Sequence, residues 1–419
     1  MSGVNRTGKF TRRGMLRAGS ATLATAATLS VAAAQEGTKL PVRSPDHHLP
    51  NETDPGPKNA ALEAANPDSV WSPETDHGSV RPFKYSFGLS RKRLESGGWT
   101  RQVTARDLPI SRTIAGVEMR LTRGGVRELH WHVEAEWAMM LYGNARITAV
   151  DQQGRCFVND VSEGDLWVFP KGVPHSIQGL GPDGARFLLA FDDGNFDEFH
   201  TFLITEWLAR TPPDVLAKNF GVPASTFSRL PKKEMFMFQA ELPEDLALEQ
   251  AKASEGTGVV PQSLSFKTSQ MKPNKVTRGG EVKIVDSRNF PVTPMSAAIV
   301  RLKPGGLREL HWHPNADEWQ YYISGKGRMT VFIADNNART MDFQEGDVGY
   351  ILQSQPHYVE NTGTTDLVFV EIFRDPMYQD ISLAEWMSHT PRRLMDQHVG
   401  VGTAMLDAIS KQEAVITPE

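Results

Sequence analysis

The stretch Gly124-Gly125-Val126-Arg127-Glu128-Leu129-His130-Trp131-His132 returns 181 residues later as Gly305-Gly306-Leu307-Arg308-Glu309-Leu310-His311-Trp312-His313. Glu163-Gly164-Asp165 and Pro174-His175 return as Glu345-Gly346-Asp347 and Pro356-His357, both 182 residues on. Ser86-Phe87 and Glu206-Trp207 return as Ser265-Phe266 and Glu385-Trp386, each 179 residues on. A period that long is the size of a domain, not of a solenoid unit. The 419-residue chain is therefore a tandem duplication, with domains expected over 80–232 and 259–419. A charged linker is expected near Lys232–Gly258.

Within each repeat the pattern is mainly β. Arg146–Val150, Leu166–Phe169, Phe187–Phe191, Met329–Ile333 and Leu367–Phe373 are short, rich in Val, Ile and aromatics, and bounded by Gly, Asp and Asn turns. Regularly spaced short strands predict a sandwich or barrel. Each repeat then closes with a helical stretch, around Thr201–Ala217 and Ser382–His398.

The shared residues also carry chemistry. His130 and His132 are two apart, which on a strand puts both on one face. Glu136 follows His132 by four, whereas Glu318 follows His313 by five. One continuous strand cannot serve both spacings, because a one-residue slip flips the face. A turn must separate the histidine pair from the glutamate. His175 and His357 come some 40 residues later, at the end of a strand opened by the Glu-Gly-Asp turn. The sets His130, His132, Glu136, His175 and His311, His313, Glu318, His357 are thus two candidate metal centres. A mixed His/Glu cluster repeated at matched spacing is the usual sign of one.

With Gly124, Gly143, Gly164, Gly305, Gly325 and Gly346 in place, these residues make the pattern Gly-x5-His-x-His-x3/4-Glu-x6-Gly followed by Gly-x5-Pro-x-Gly-x2-His. That is the pair of motifs of the cupins. The first repeat has Gly179 where the second motif usually ends in Asn. The second keeps Asn361 but has Leu352 and Ser354 where Pro and Gly are usual. The chain resembles the bicupin oxalate decarboxylases from about Phe83 to the C-terminal region. The resemblance implies two double-stranded β-helix (jelly-roll) barrels with short helical extensions, two manganese ions per chain, oxalate as substrate and dioxygen as catalytic co-substrate. It also implies a homo-trimer or homo-hexamer. Three imidazoles and a carboxylate leave two octahedral positions open for a small acid. The donor set by itself admits iron or zinc too, and manganese is the weak competitor in the divalent affinity order.

The family assigns the arginines matching Arg127 and Arg308 to the substrate carboxylate, a task that suits a guanidinium fork. Lying three residues before a ligand, each points away from the metal unless its strand bends; a buried structural ion pair is the other reading. The first repeat has three extra residues in Asp192–Thr201, a length that suggests a lid. The family carries its acid/base glutamate on this loop, and Glu198 falls there. Its flanks read Asp197-Glu198-Phe199-His200 instead of the usual Ser-Glu-Asn-Ser. In the second repeat Glu371 sits in the apolar strand Leu367–Phe373, where the first has Leu189. It is either a second proton donor or the partner that holds Arg308. The first centre is expected to be catalytic. An oxalate oxidase giving carbon dioxide and peroxide is the nearest alternative. A storage or binding bicupin and a cupin dioxygenase for an aromatic substrate are more distant ones.

The remaining features bound the setting. A formal charge of −5 offers no basic patch for nucleic acid. No apolar run reaches the roughly 18 residues that argue a membrane span. The single Cys156 has no intramolecular disulfide partner. Residues 1–34 carry Arg12-Arg13, an Ala/Thr/Leu stretch and Ala32-Ala33-Ala34, in the order of a twin-arginine export signal. That predicts engagement of the twin-arginine machinery and a periplasmic or secreted protein. Folding and metal loading before export would favour manganese. Residues 35–79 are rich in proline and are expected as an extended arm.

Overall fold

The computed structural model describes residues 59–70 and 72–418. The expected export signal, residues 1–34, lies outside the described residues. Ala61–Glu419 form one compact unit.

Each repeat folds as a jelly-roll barrel of two antiparallel layers. In the first, Gly98–Val103, Ala115–Leu121, Ala185–Phe191 and the start of Glu136–Val150 form one layer. Gly125–Trp131, His175–Gly179, the rest of Glu136–Val150 and Cys156–Ser162 form the other. The 15-residue strand Glu136–Val150 belongs to both. It changes layer at Gly143, whose φ is +75° and where a Cβ would stand 2.1 Å from the Gly184 carbonyl oxygen. Only glycine meets both demands. The second barrel breaks the equivalent strand into Glu318–Ser324 and Lys326–Ile333 around Gly325, at φ +87°.

The barrels exchange strands. Lys84–Ser86, at the start of the expected first domain, pairs with Asp347–Ile351 of the second barrel. Ser265–Phe266 pairs with Leu166–Phe169 of the first. Val80 and Phe83 accordingly lie in the second barrel's core, and Leu264 in the first's. The repeated Glu-Gly-Asp aspartates secure both exchanges. Lys267 Nζ lies 2.9 Å from Asp165 and Lys84 Nζ lies 3.0 Å from Asp347, each carboxylate only 1% exposed. A third cluster, including Phe87, Trp137, Leu188, Trp319, Tyr321 and Ile372, fills the space between the barrels.

Two segments expected as passive connections have structure. Ala60–Ala65 and Pro67–Val70 are short helices, and Asp68 and Asp76 bond to Asp342 and Thr340 of the second barrel. In the charged linker, Met237–Gln239 adds a strand beside Gly125–Arg127, and Leu246–Ala253 is helical. Each expected closing helix is split by proline: Ile204–Arg210 and Pro213–Phe220, then Leu383–His389 and Arg392–Val399. No helix among the described residues is long and apolar enough to cross a membrane.

Candidate metal centres

Strand Gly125–Trp131 carries His130, with His132 just past its end, and Glu136 opens the next strand after the turn that the spacing demands. His175 opens its own strand directly across from His130. The donor atoms of His130, His132, Glu136 and His175 all lie within 4.8 Å of one another, as do those of His311, His313, Glu318 and His357, and all eight residues are buried.

The imidazole tautomers follow from their second nitrogens. Nδ1 of His130, His132 and His175 faces the carbonyls of Glu128, Glu134 and Val173 at 2.5, 2.8 and 2.8 Å. Nδ1 of His311, His313 and His357 faces those of Glu309, Gln379 and Gln355 at 2.6, 2.7 and 2.9 Å. A carbonyl only accepts, so each Nδ1 holds a proton and each Nε2 is the nitrogen turned to the centre. Burial, then the nearby Arg127 or Arg308 and the neighbouring histidines, hold His130 and His311 well below the usual histidine range. Both rings are neutral. His311 Nε2 and His313 Nε2 are 3.1 Å apart, and His357 Nε2 is 2.8 Å from Glu318 Oε2. A cation placed among these converging nitrogens and carboxylate oxygens would be bound by all of them at once. The residues fit a divalent metal in both barrels.

The arginines enter the centres through a bulge. Arg127 pairs with Ile177 and His130 with His175, so three steps on one strand match two on the other. Arg308/Val359 and His311/His357 repeat the mismatch. The extra residue turns Arg127 and Arg308 to the ligand face and Leu129 and Leu310 outward, 49% and 46% exposed. The repeated Glu128 and Glu309 are buried behind the bulge. Glu128 accepts from Thr205, Met235 and Phe236, and Glu309 from Ser382 and Val415. These bonds tie each barrel to its closing segments.

The two arginines then differ. Arg127 donates to Thr201 Oγ1 at 3.0 Å and to the Phe236 carbonyl at 3.3 Å, and its Nε lies 3.7 Å from Glu198 Oε1. Glu198 opens the single-turn 3-10 helix Glu198–His200, which Asp197 caps, and is 2% exposed. Its Oε2 accepts from Thr100 Oγ1 at 2.5 Å, and its N–H donates to Gln102 Oε1 at 3.0 Å. Burial pushes its pKa up to about 7, with Glu136 adding to the rise and Arg127 and Thr100 opposing it. Arg308 is more fully engaged. It donates to Tyr378 at 2.7 Å, to Asp380 at 2.8 Å and to the Val415 carbonyl at 3.3 Å, with Glu371 Oε1 at 3.4 Å from its Nε. Burial pushes Glu371 up to about 8 against the pull of Arg308. Every expected site residue therefore lies in one of two clusters. Thr100, Gln102, Thr201, Phe236, Tyr378 and Asp380 had not been singled out.

The profile of the Cupin family matches residues 88–226 and 267–405. Oxalate decarboxylase OxdC of Bacillus subtilis (strain 168) is 50% identical over 358 residues, 85% of this chain and 92% of that protein. A probable oxalate decarboxylase of Arthroderma benhamiae is 40% identical over 366 residues, 86% of this chain and 89% of that one. A solved structure of B. subtilis oxalate decarboxylase, characterised for its Mn(II) centres, superposes with a TM-score of 0.86 at 47% identity. It covers 90% of this chain and 100% of its own. With both motif pairs, both ligand sets and this similarity along most of its length, the chain belongs to the bicupin oxalate decarboxylase family.

Proposed function

We propose that this chain converts oxalate to formate and carbon dioxide, with manganese in both centres and dioxygen as catalytic co-substrate, and that the first centre carries the reaction. One observation carries this reading. Beside the first ligand set, the buried Arg127 guanidinium and the buried Glu198 carboxyl face each other at 3.7 Å, an anion holder next to a proton donor.

His130, His132, Glu136 and His175 would hold manganese, which when bound would supply a one-electron couple able to weaken the oxalate carbon–carbon bond. Arg127 holds a carboxylate by charge and a fixed fork. Thr100 and Gln102 fix Glu198, and the closed lid keeps bulk water from the carbon that must take the proton. In the net reaction hydrogen oxalate loses one carbon dioxide and its proton ends on the formate carbon, so no net oxidant is consumed. If that carbon is not protonated, two electrons pass to dioxygen instead. Two carbon dioxide molecules and, with two protons, hydrogen peroxide result. A carboxyl that keeps its proton near neutrality favours the first outcome. The second centre is less suited to oxalate, because Asp380 already meets the charge of Arg308.

Protein loaded with manganese and given oxalate and dioxygen should yield mainly formate. Mostly peroxide would replace this reading with the oxidase. Neither product would leave a binding bicupin.

A trimer or a dimer of trimers is proposed as well. Leu129, Phe202, Trp207, Leu310, Ile381 and Trp386 are each between 37% and 63% exposed, at equivalent places on the two barrels. Trp131 packs against Phe202 and Trp207, and Trp312 against Trp386, and exposed apolar clusters of this kind mark an interaction surface. Export by the twin-arginine route to the periplasm or beyond is proposed from the motif in residues 1–34.

A further inference from the structure

The strand Gly98–Val103 turns Thr100 and Gln102 toward the lid, because residues two apart share a face. Thr100 touches the Glu198 carboxyl. The Gln102 amide touches two lid residues at once: its Oε1 accepts from the Glu198 N–H at 3.0 Å, and its Nε2 donates to Asp197 Oδ1 at 3.2 Å. The Asp197 side chain is 8% exposed. Besides Gln102 it accepts from Phe199 N at 3.1 Å, Arg106 Nη2 at 2.8 Å and His200 Nδ1 at 3.0 Å. Arg106 and His200 are 71% and 78% exposed, so water competes for both of those bonds. The Gln102 amide is half-buried and, alone among the described residues, spans from the barrel wall to both Asp197 and Glu198.

We infer that Gln102 and Asp197 form a clamp that holds the lid closed, and that Gln102 is a positioning residue setting how much of the turnover ends as formate. The inference rests on Glu198 being the proton donor. The clamp acts through the backbone and the neighbour of Glu198 and touches no reacting atom. It also gives a physical role to the aspartate that opens this lid. A carboxylate there accepts a charge-assisted bond, stronger than a bond between two neutral groups.

Gln102→Glu is the sharpest perturbation. It keeps the size of the side chain and the acceptor for the Glu198 N–H. It replaces the donor facing Asp197 with a second carboxylate. In the manganese-loaded enzyme, peroxide per oxalate consumed should rise about tenfold, the scale of losing one hydrogen bond to a charged group, while KM for oxalate stays within about twofold. Amide exchange at Glu198 and Phe199, measured without substrate, should quicken by a similar factor. Adding Asp197→Asn restores a donor–acceptor pair with the roles reversed, and should return both readouts most of the way to the parent values. Gln102→Ala, which introduces no charge, should move both in the same direction as Gln102→Glu. Parental product ratios in Gln102→Glu and Gln102→Ala would overturn the inference, and so would faster lid exchange with no change in products. Glu198→Gln run in parallel separates the two levels. Unchanged formate there would sink the proposed reaction, whereas lid exchange reports on the clamp without turnover.

Discussion

Glu198→Gln tests the proposed chemistry most directly. The amide is nearly isosteric, Thr100 Oγ1 can still donate to its oxygen, and no metal ligand changes, so metal content should stay at the parent value. What disappears is a proton held at a pKa of about 7. Loss of an acid/base group should lower formate production by about 10²–10⁴-fold. Peroxide per oxalate consumed should rise, since the first carbon dioxide can still leave. In the parent, formate output should fall as pH climbs through about 7, because the donor is then deprotonated; the variant should lose that limb. Stability offers an independent reading. The folded-state pKa is raised from the ordinary 4.5 to about 7, so between those values the folded chain binds more protons than the unfolded one. This group's contribution to stability therefore declines as pH rises through that window, by about 3 kcal/mol in all. The glutamine does not titrate, so the variant's melting temperature should gain on the parent's from pH 4.5 to 7 and hold its lead above. Formate and peroxide assays across pH, beside thermal melts in the same buffers, check both limbs. Unchanged formate output would refute the role of Glu198, and a melting difference flat with pH would refute its raised pKa.

Other perturbations separate the two centres and the two barrels. His130→Ala should lower metal content from two ions to one per chain, measured by elemental analysis, and abolish formate production. His311→Ala should also leave one ion but keep most of the activity; loss of activity with the first centre still filled would move the catalysis to the second. Stripping metal with a chelator should lower the melting temperature, because binding to the folded state alone stabilises it. Phe83→Ala, in the core of the second barrel at 1% exposure, should cost about 3–5 kcal/mol, read by denaturant unfolding. A surface-like cost would mean that the exchanged strand is not anchored there.

The ligand sets were legible because duplication printed them twice, and because the two His-to-Glu spacings, four and five, exclude a single strand. The direction of Arg127 and Arg308 was not. A bulge leaves no mark in a local sequence pattern, and strict alternation placed both side chains on the wrong face. Thr100 and Gln102 escaped for a different reason. They lie upstream of the motifs, and their significance appears only against Val282 and Ile284, which hold the matching places on strand Gly280–Val285. Polar residues where the sister repeat is apolar mark what one barrel does and the other does not. Glu371 opposite Leu189 was read by that rule. Asp380 was hidden because it reaches Arg308 from a loop, where pattern says little about direction.

The strand exchange also sets an order on synthesis. When the first repeat has left the ribosome, the edge at Leu166–Phe169 still lacks Ser265–Phe266, which is made almost a hundred residues later. Lys84–Ser86, made early, waits for Asp347–Ile351 near the end of the chain. An uncovered edge is a site for wrong pairing, so the nascent chain is most exposed to misassembly over that interval. Neither half, cut at the apparent domain boundary, contains all of its own barrel. The duplication can no longer be undone by scission: two barrels that began as copies have become each other's closing piece.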